Sequence, residues 1–118
     1  MGNNWKGRVE HPTDRFFEQF KEMKWGVRAA FIVLRNYIHR HRCNTPRLII
    51  ERWAPKSENA TAKYLEVVCK RARLGADDVV SFDSAATMCN LFLAMCFVEN
   101  GREISLDDVV AGYLLAKE

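Results

Sequence analysis

The chain has 118 residues, enough for one domain with its own hydrophobic core. Apolar residues make up 48% and charged residues 28%, a balance that is typical of globular proteins and excludes an intrinsically disordered chain. Lys and Arg number 18 against 15 Asp and Glu, so the net charge of +3 permits an anionic partner without requiring one. The longest nearly apolar run, 88–98, is shorter than the roughly 20 residues that a membrane-spanning helix needs.

The first 22 residues are predicted to contain a β-hairpin. Trp5, Gly7 and Val9 alternate with charged residues, the segment 11–14 has the composition of a turn, and an aromatic run follows at 16–20. Alternation with a period of two beside a turn indicates paired strands. Because an isolated hairpin is only marginally stable in water, we expect its aromatic side chains to pack against another part of the chain.

The spacing of apolar residues becomes helical after residue 24. Apolar side chains recur every three or four residues over 27–38, which predicts a helix with one apolar stripe. Thr45 followed by Pro46 is typical of an N-cap and first helical position. A second, short helix is therefore expected from this point to just before Ala54.

Three more helices are predicted in the second half of the chain. One is expected to begin at residues 57–59 and to end with Gly75 at its C′ position. The next, 85–100, is apolar on almost every side, as expected of a buried central helix, and ends at Gly101.

The last helix is expected to begin at Ser105, where Asp108 three residues later approximates a capping box. The predicted fold is mainly α, of α+β type: about five helices surround a buried central helix, with a small N-terminal β-hairpin. We expect a single domain over 1–118, with a hairpin region at 1–22 and a helical region at 23–118.

No metal or cofactor site is expected. The four cysteines lack the spacing of metal ligands, and Cys89 and Cys96, seven residues apart, should lie on one helix face as buried free thiols. His39 and His41 are two apart on a predicted helix and therefore point about 200° apart, so they cannot bind one metal ion together.

Glu99 is the residue that departs most from its surroundings, because it follows a long apolar stretch of helix. A carboxyl group that is desolvated at the end of a buried helix has a raised pKa and is suited to act as a general acid near neutral pH. The alternative is that the helix reaches the surface here and that Glu99 lies in water before Gly101. The pattern alone leaves both interpretations open.

Other candidate residues give weaker signals. Glu58 lies in the first turn of a predicted helix, where the helix dipole stabilises a carboxylate, and Asp14 is a typical turn residue. Trp5, Trp25 and Trp53 are able to stack on sugar rings, although large aromatic residues more often belong to the core or to half-buried hairpin packing.

Several short motifs, in order along nearly the whole chain, carry a resemblance to a known family. They are Asn4-Trp5-Lys6-Gly7, His11-Pro12-Thr13-Asp14, Phe17-Glu18-Gln19-Phe20, Gly26-Val27-Arg28-Ala29, Arg52-Trp53-Ala54-Pro55, Ser57-Glu58-Asn59-x-Thr61-x-x-Tyr64 and Val98-Glu99-Asn100-Gly101. Together they resemble a family of phage- and prophage-encoded proteins, described as virion structural or lysozyme-like proteins and common in Bacteroides-type genomes. Members usually carry an Asn-Pro-x-Asn-Ile-Arg segment before the tryptophan hairpin. This chain lacks it, so we expect either a truncated start or the loss of that part of the site.

The resemblance implies a lysozyme-like fold in circularly permuted order, with the hairpin first and the helix that carries the catalytic Glu near the end. It implies that Glu99 protonates the glycosidic oxygen and that Asp14 or Glu10 supplies the second carboxylate. Gln19 and Thr13 would position the sugar or a water molecule. The residues expected to bind the substrate are Trp5, Thr13, Gln19, Trp53, Glu58 and Asn59.

The predicted function is therefore that of a peptidoglycan-active, lysozyme-like domain of phage origin that cleaves glycan strands between amino sugars. The alternative is a non-catalytic virion structural or cell-wall-binding protein. A third hypothesis, nucleic-acid binding, is disfavoured because the positive charges are spread along the chain among acids. The expected partners are cell-wall glycan and other virion proteins. No signal-peptide pattern occurs at the start of the sequence, so we expect cytoplasmic synthesis followed by virion association or delivery to the cell wall.

Overall fold

The structure is a computed structural model that describes residues 23–54, 57–101 and 104–118. The helices in these ranges are α1 (Met23–Arg40), α2 (Pro46–Trp53), α3 (Glu58–Ala72), α4 (Ala85–Asn100) and α5 (Leu106–Lys117). These described ranges contain no strand, and the hairpin predicted for 1–22 lies outside them. The mainly helical class is confirmed, with five helices in the described ranges.

The predicted starts of α2 and α3 are confirmed by their capping hydrogen bonds. Thr45 precedes α2, and its hydroxyl accepts a hydrogen bond from the Leu48 N–H at 3.2 Å. Ser57 precedes α3 and accepts one from the Ala60 N–H at 3.2 Å. Each cap satisfies a backbone donor that has no partner inside the helix and contributes about 1 kcal/mol.

The ends of α3 and α4 differ in how well the sequence predicts them. α4 ends at Gly101, whose φ of 70° is in the left-handed region as predicted. For α3 the prediction of Gly75 is wrong: Arg73 adopts the left-handed conformation, with a φ of 58°. Gly75 instead belongs to the following turn, where its N–H donates to the Asp78 carboxylate at 2.6 Å.

α4 is buried on several sides, as its apolar sequence predicts. Its buried residues are Met88, Cys89, Leu91, Phe92, Ala94, Met95 and Cys96. α3 packs along α4, and α2 packs on α3. The predicted burial of Cys89 and Cys96 as free thiols is confirmed, and burial raises the pKa of both thiols.

The chain divides into two compact units, the first made of Met1–Val33 with Ser105–Glu118 and the second of Leu34–Ile104. Among the described residues of the first unit, Phe31 and Tyr113 meet edge to face, with ring centroids 5.3 Å apart. Gly112 of α5 lies so close to Val27 of α1 that a Cβ at Gly112 would be 2.4 Å from the Val27 Cγ1 atom. The absence of a side chain at Gly112 therefore permits the close approach of these two helices.

The second unit contains α2, α3 and α4 and the loops that join them. The Arg47 N–H donates to the Ala76 carbonyl at 2.9 Å, and the Val80 N–H donates to the Asn44 carbonyl at 2.8 Å. The Thr61 hydroxyl donates to the Ala54 carbonyl at 3.0 Å, which fastens the end of α2 to the start of α3. None of the helices in the described ranges has both the length and the hydropathy to cross a membrane.

Candidate functional site

Three side chains from different helices meet at the C-terminal end of α4. Glu99 lies one residue before the end of this helix, Trp53 is the last residue of α2, and Tyr64 lies in the second turn of α3. The Trp53 indole Nε1–H donates to Glu99 Oε2 at 3.2 Å, and the Tyr64 hydroxyl donates to the same oxygen at 2.9 Å. We call Trp53, Tyr64 and Glu99 the Glu99 cluster.

The two hydrogen bonds give the two oxygens of the Glu99 carboxylate different environments. Both donors bind Oε2, whereas Oε1 has no hydrogen bond to the described residues. Two donors on one oxygen restrain the rotation of the carboxylate, because turning it would break both bonds. Oε1 is therefore the oxygen that is available to a ligand or to a transferred proton.

Of the two interpretations that the sequence leaves open for Glu99, the structure supports the second. The residue is exposed, so α4 reaches the surface at this point. Burial is found instead at Tyr64, where it raises the pKa of the phenol well above its usual range, and the nearby Glu99 carboxylate raises that pKa further. The phenol consequently stays protonated and remains a hydrogen-bond donor.

A small groove of about 310 Å³ lies beside the cluster. Its walls are Ala54, Ala60, Tyr64, Val67 and Val98, with the exposed Lys63 at its edge. The lining is therefore largely apolar, and the phenol of Tyr64 is shared between this groove and the carboxylate. The groove therefore offers apolar contact area, and the polar atoms beside it belong to the Glu99 cluster.

A larger groove, of about 610 Å³, lies between α2 and α3. At about 100° per residue, the α3 residues that line it point to the side of the helix opposite those that line the small groove. Glu58 belongs to the larger groove, so the structure does not bring it to the Glu99 cluster. Asn59 is exposed in the first turn of α3, and its side chain has no hydrogen bond to the described residues.

Comparison with known proteins identifies a phage relative. The chain is 29% identical over 113 residues to Protein P5 of Pseudoalteromonas phage PM2, and the match covers 95% of this chain and 69% of that protein. The chain is similar to a phage protein. No family model matches the chain. The similarity supports the predicted phage origin and gives no support to a lysozyme-like family.

The predicted site residues have different outcomes. Trp53 and Glu99, 46 residues apart in the sequence, are brought together. Those that lie outside the described residues are Trp5, Glu10, Thr13, Asp14 and Gln19.

Tyr64 was not among the predicted site residues, although it closes the motif Ser57-Glu58-Asn59-x-Thr61-x-x-Tyr64. A signal for it does exist, because the hydroxyl of a buried tyrosine usually finds a hydrogen-bond partner. Among the described residues, no group of three or more His, Cys, Asp or Glu side chains is arranged to hold a metal ion.

Proposed function

We propose that this chain is a phage-related protein that acts on the glycan strands of peptidoglycan, with Glu99 as the general acid. The observation that carries the proposal is the Glu99 cluster. Its carboxylate is held at Oε2 by two aromatic donors and is open at Oε1 beside a largely apolar groove. A carboxyl group of fixed orientation, next to a surface that fits a sugar ring, is what glycoside cleavage requires.

The two oxygens of the Glu99 carboxylate have different surroundings, and this difference supports a role in acid–base chemistry. Trp53 and Tyr64 orient the group through Oε2, so that a proton carried on Oε1 is aimed at one point in space. Transfer of this proton to the glycosidic oxygen would let the bond between that oxygen and the anomeric carbon break. Water would then add to the anomeric carbon and give up a proton to a carboxylate. A positioned general acid of this kind contributes about 10²- to 10⁴-fold to the rate.

The second carboxylate of the reaction is proposed to be Asp14 or Glu10. Its distance from Glu99 would decide the stereochemical outcome, since retaining enzymes hold the two groups about 5 Å apart and inverting enzymes hold them farther apart. Trp5, Thr13, Gln19, Trp53 and Asn59 are proposed to contact the glycan; Glu58 is left out because it lines the other groove.

A second candidate function is a virion structural or cell-wall-binding role without catalysis. The observation that favours it is the exposure of Glu99, which leaves the carboxylate in contact with water and open to hydrogen-bond donors. In this case the carboxylate accepts hydrogen bonds from sugar hydroxyls, and Trp53 and Tyr64 hold it in position for binding alone.

One experiment separates the two candidates. Purified peptidoglycan is incubated with the wild type, with Glu99→Gln and with Glu66→Gln, an exposed glutamate on the other side of α3. Released reducing ends and protein that sediments with the polymer are measured in the same samples. The enzyme proposal expects release by the wild type and by Glu66→Gln, and at least about a 10²-fold loss in Glu99→Gln.

The remaining outcomes are also decisive. Sedimentation of the wild type with peptidoglycan and no reducing ends, together with weaker sedimentation of Glu99→Gln, would support the binding role and refute catalysis. If the wild type neither cleaves nor sediments with the polymer, both candidates are wrong.

A further inference from the structure

The larger groove, between α2 and α3, has an apolar floor. It runs along α3 from Glu58 to Cys69, a length of about 16 Å. The floor is formed by Ala62, Leu65 and Cys69, which follow one another at helical spacing over about two turns. We call this cavity the α2–α3 groove. Its lining belongs entirely to the second unit of the chain.

Carboxylates stand on both long sides of this floor. At about 100° per residue, Glu66 projects from α3 about 140° away from Thr61, whose hydroxyl bonds to Ala54 at the end of α2. Glu66 therefore forms the rim that lies away from α2, whereas Glu51 belongs to the α2 wall. Glu58 adds a third carboxylate at the end of the groove where α3 begins. All three glutamates are exposed.

The positive charge in the groove is already paired. Among the described residues that line the groove, Arg47 is the only cation. It donates two hydrogen bonds to the Asp77 carboxylate, at 2.9 and 3.1 Å. Burial raises the pKa of the Cys69 thiol, the charge of Arg47 lowers it, and the charges of Asp78 and Asp77 raise it again, so both aspartates lie near this end of the floor. Neither end of the groove therefore carries an excess of positive charge.

Two lysines stand near the outer rim of the groove without pairing with it. Lys63 precedes Glu66 by three residues and Lys70 follows it by four, but neither lysine forms an ion pair with a described residue. Lys63 instead lines the small groove on the other side of α3. The Glu66 carboxylate is thus free to pair with a partner. Because the whole chain has a net charge of +3, the acidity of the α2–α3 groove is a local feature.

An occupant of this groove has to match an apolar floor with negative charge on both sides. An amphipathic helix that lays its apolar residues into a groove is a common mode of recognition between proteins, and about 11 helical residues span 16 Å. The apolar stripe of such a helix would meet the floor, and the residues on its two flanks would meet Glu51 and Glu66. Lysine or arginine at these flanks would pair with the carboxylates, whereas acidic residues would be repelled.

We propose that the α2–α3 groove binds an amphipathic helix of another protein, whose apolar stripe is flanked on both sides by Lys or Arg. The chain's own α5 is not a helix of this kind, since it has two aspartates in its first turn and one lysine in its last turn. The groove and the small groove beside the Glu99 cluster lie on opposite sides of α3. The inference therefore does not depend on the proposed action on glycans.

The test uses synthetic peptides of about 12 residues, blocked at both ends and fluorescently labelled. The first peptide has leucines on one helical face and lysines on both flanks of that face. The second replaces every lysine with glutamate, and the third keeps the lysines but replaces every leucine with glutamine. Fluorescence anisotropy should show saturable, one-to-one binding of the first peptide, and at least about tenfold weaker binding of the other two at low salt.

Two double variants of the full chain test the carboxylates. Glu51→Gln with Glu66→Gln removes one negative charge from each side of the groove. The matched control, Asp107→Asn with Glu118→Gln, removes the same charge from exposed positions in and after α5. The first double variant should bind the basic peptide about tenfold more weakly at low salt, and the control should bind it as the wild type does.

Obstruction and thiol labelling locate the peptide on the floor. Ala62→Arg fills the groove and should abolish binding, whereas Ala60→Arg, on the side of α3 that faces the small groove, should bind the peptide normally. Cys69 is partly exposed in the floor, and Cys43 is partly exposed outside the groove. Saturating peptide should slow the reaction of Cys69 with a thiol reagent and leave that of Cys43 unchanged.

Four results would overturn the proposal. They are the absence of saturable binding of the basic peptide, equal binding of the acidic or the leucine-free peptide, equal weakening in the two double variants, and an unprotected Cys69 at saturation. Sedimentation velocity tests the remaining occupant: if the wild type associates with itself and Ala62→Arg abolishes this, the groove binds a second copy and the proposal is wrong. Far-ultraviolet circular dichroism of each variant should match the wild type. If Ala62→Arg loses helix, the charge variants and the labelling of Cys69 decide.

Discussion

Replacing Gly112 with alanine tests the close approach of α1 and α5. The added Cβ would lie 2.4 Å from Val27 Cγ1, 2.5 Å from Val27 Cβ and 2.9 Å from the Arg28 backbone nitrogen. Carbon atoms in contact are normally about 3.5–4.0 Å apart, so the two helices must separate by about 1 Å. Rotation of the Val27 side chain relieves only the first contact, because its Cβ and the backbone nitrogen move only with the helix.

The two energetic effects of Gly112→Ala oppose each other. Overpacking of this kind costs about 1–3 kcal/mol, whereas alanine is better than glycine in a helix by about 1 kcal/mol. Because a backbone atom as well as a side chain stands in the way, the overpacking cost should lie in the upper part of that range, at about 2–3 kcal/mol, and we expect a net loss of about 1–2 kcal/mol in the free energy of unfolding. Urea unfolding followed by circular dichroism measures this quantity, and Ala111→Gly, at the adjacent position, measures the helix propensity alone.

A value of the free energy of unfolding for Gly112→Ala that equals or exceeds the wild-type value would refute the reasoning. A second check uses Val27→Ala, which removes the Cγ1 atom that the new Cβ meets first. The double variant should be more stable than the sum of the two single changes predicts, but the recovery should be partial, since Val27 Cβ and the Arg28 nitrogen remain.

Three further predictions concern the C-terminal end of α4, a surface ion pair and two buried thiols. Gly101→Ala should lower the free energy of unfolding by about 1–2 kcal/mol in urea unfolding, because the φ of 70° is unfavourable for alanine; an unchanged value would contradict the left-handed helix end. The hydrogen bond from Arg47 lowers the pKa of Asp77, so the stability gained from this pair should be present above about pH 4 and lost as the pH falls below it. The wild type should therefore lose more stability than Asp77→Asn in acid, and parallel pH curves would refute this. Burial raises the pKa of Cys89 and Cys96, so both should react slowly with a thiol reagent in the native protein and quickly in urea; fast native labelling would show that they are not buried.

The helix boundaries are the part of the fold that local sequence predicts well. Thr45 and Ser57 cap helices because their short side chains reach the backbone N–H groups three residues later, and this depends on nothing farther away. The range 85–100 is predicted in full because an apolar run ended by glycine has few other solutions. The end of α3 is the counterexample. Glycine is the residue expected in the left-handed conformation at a helix end, but here Arg73 adopts it, and Gly75 lies in the next turn, where it bonds to Asp78.

The sequence predicts Glu99 and Trp53 as site residues but does not predict that they meet. The reason is that the residues of the Glu99 cluster are far apart along the chain. Glu99 is conspicuous as a single residue, but its partners Trp53 and Tyr64 are 46 and 35 residues away. Their meeting depends on how α2, α3 and α4 pack, and no local pattern contains that information. The exposure of Glu99 depends on the same packing.

Because the Trp53 indole donates a hydrogen bond to Glu99, the fluorescence of Trp53 reports binding at this site. Indole emission responds to the charge and the hydrogen bonding at its nitrogen, so a molecule that binds Glu99 should change the fluorescence of Trp53 without any added label. The chain has two other tryptophans, Trp5 and Trp25, and replacing both with phenylalanine would leave Trp53 as the single source of the signal. Cell-wall fragments of different composition can then be ranked by titration, whether or not the protein cleaves them.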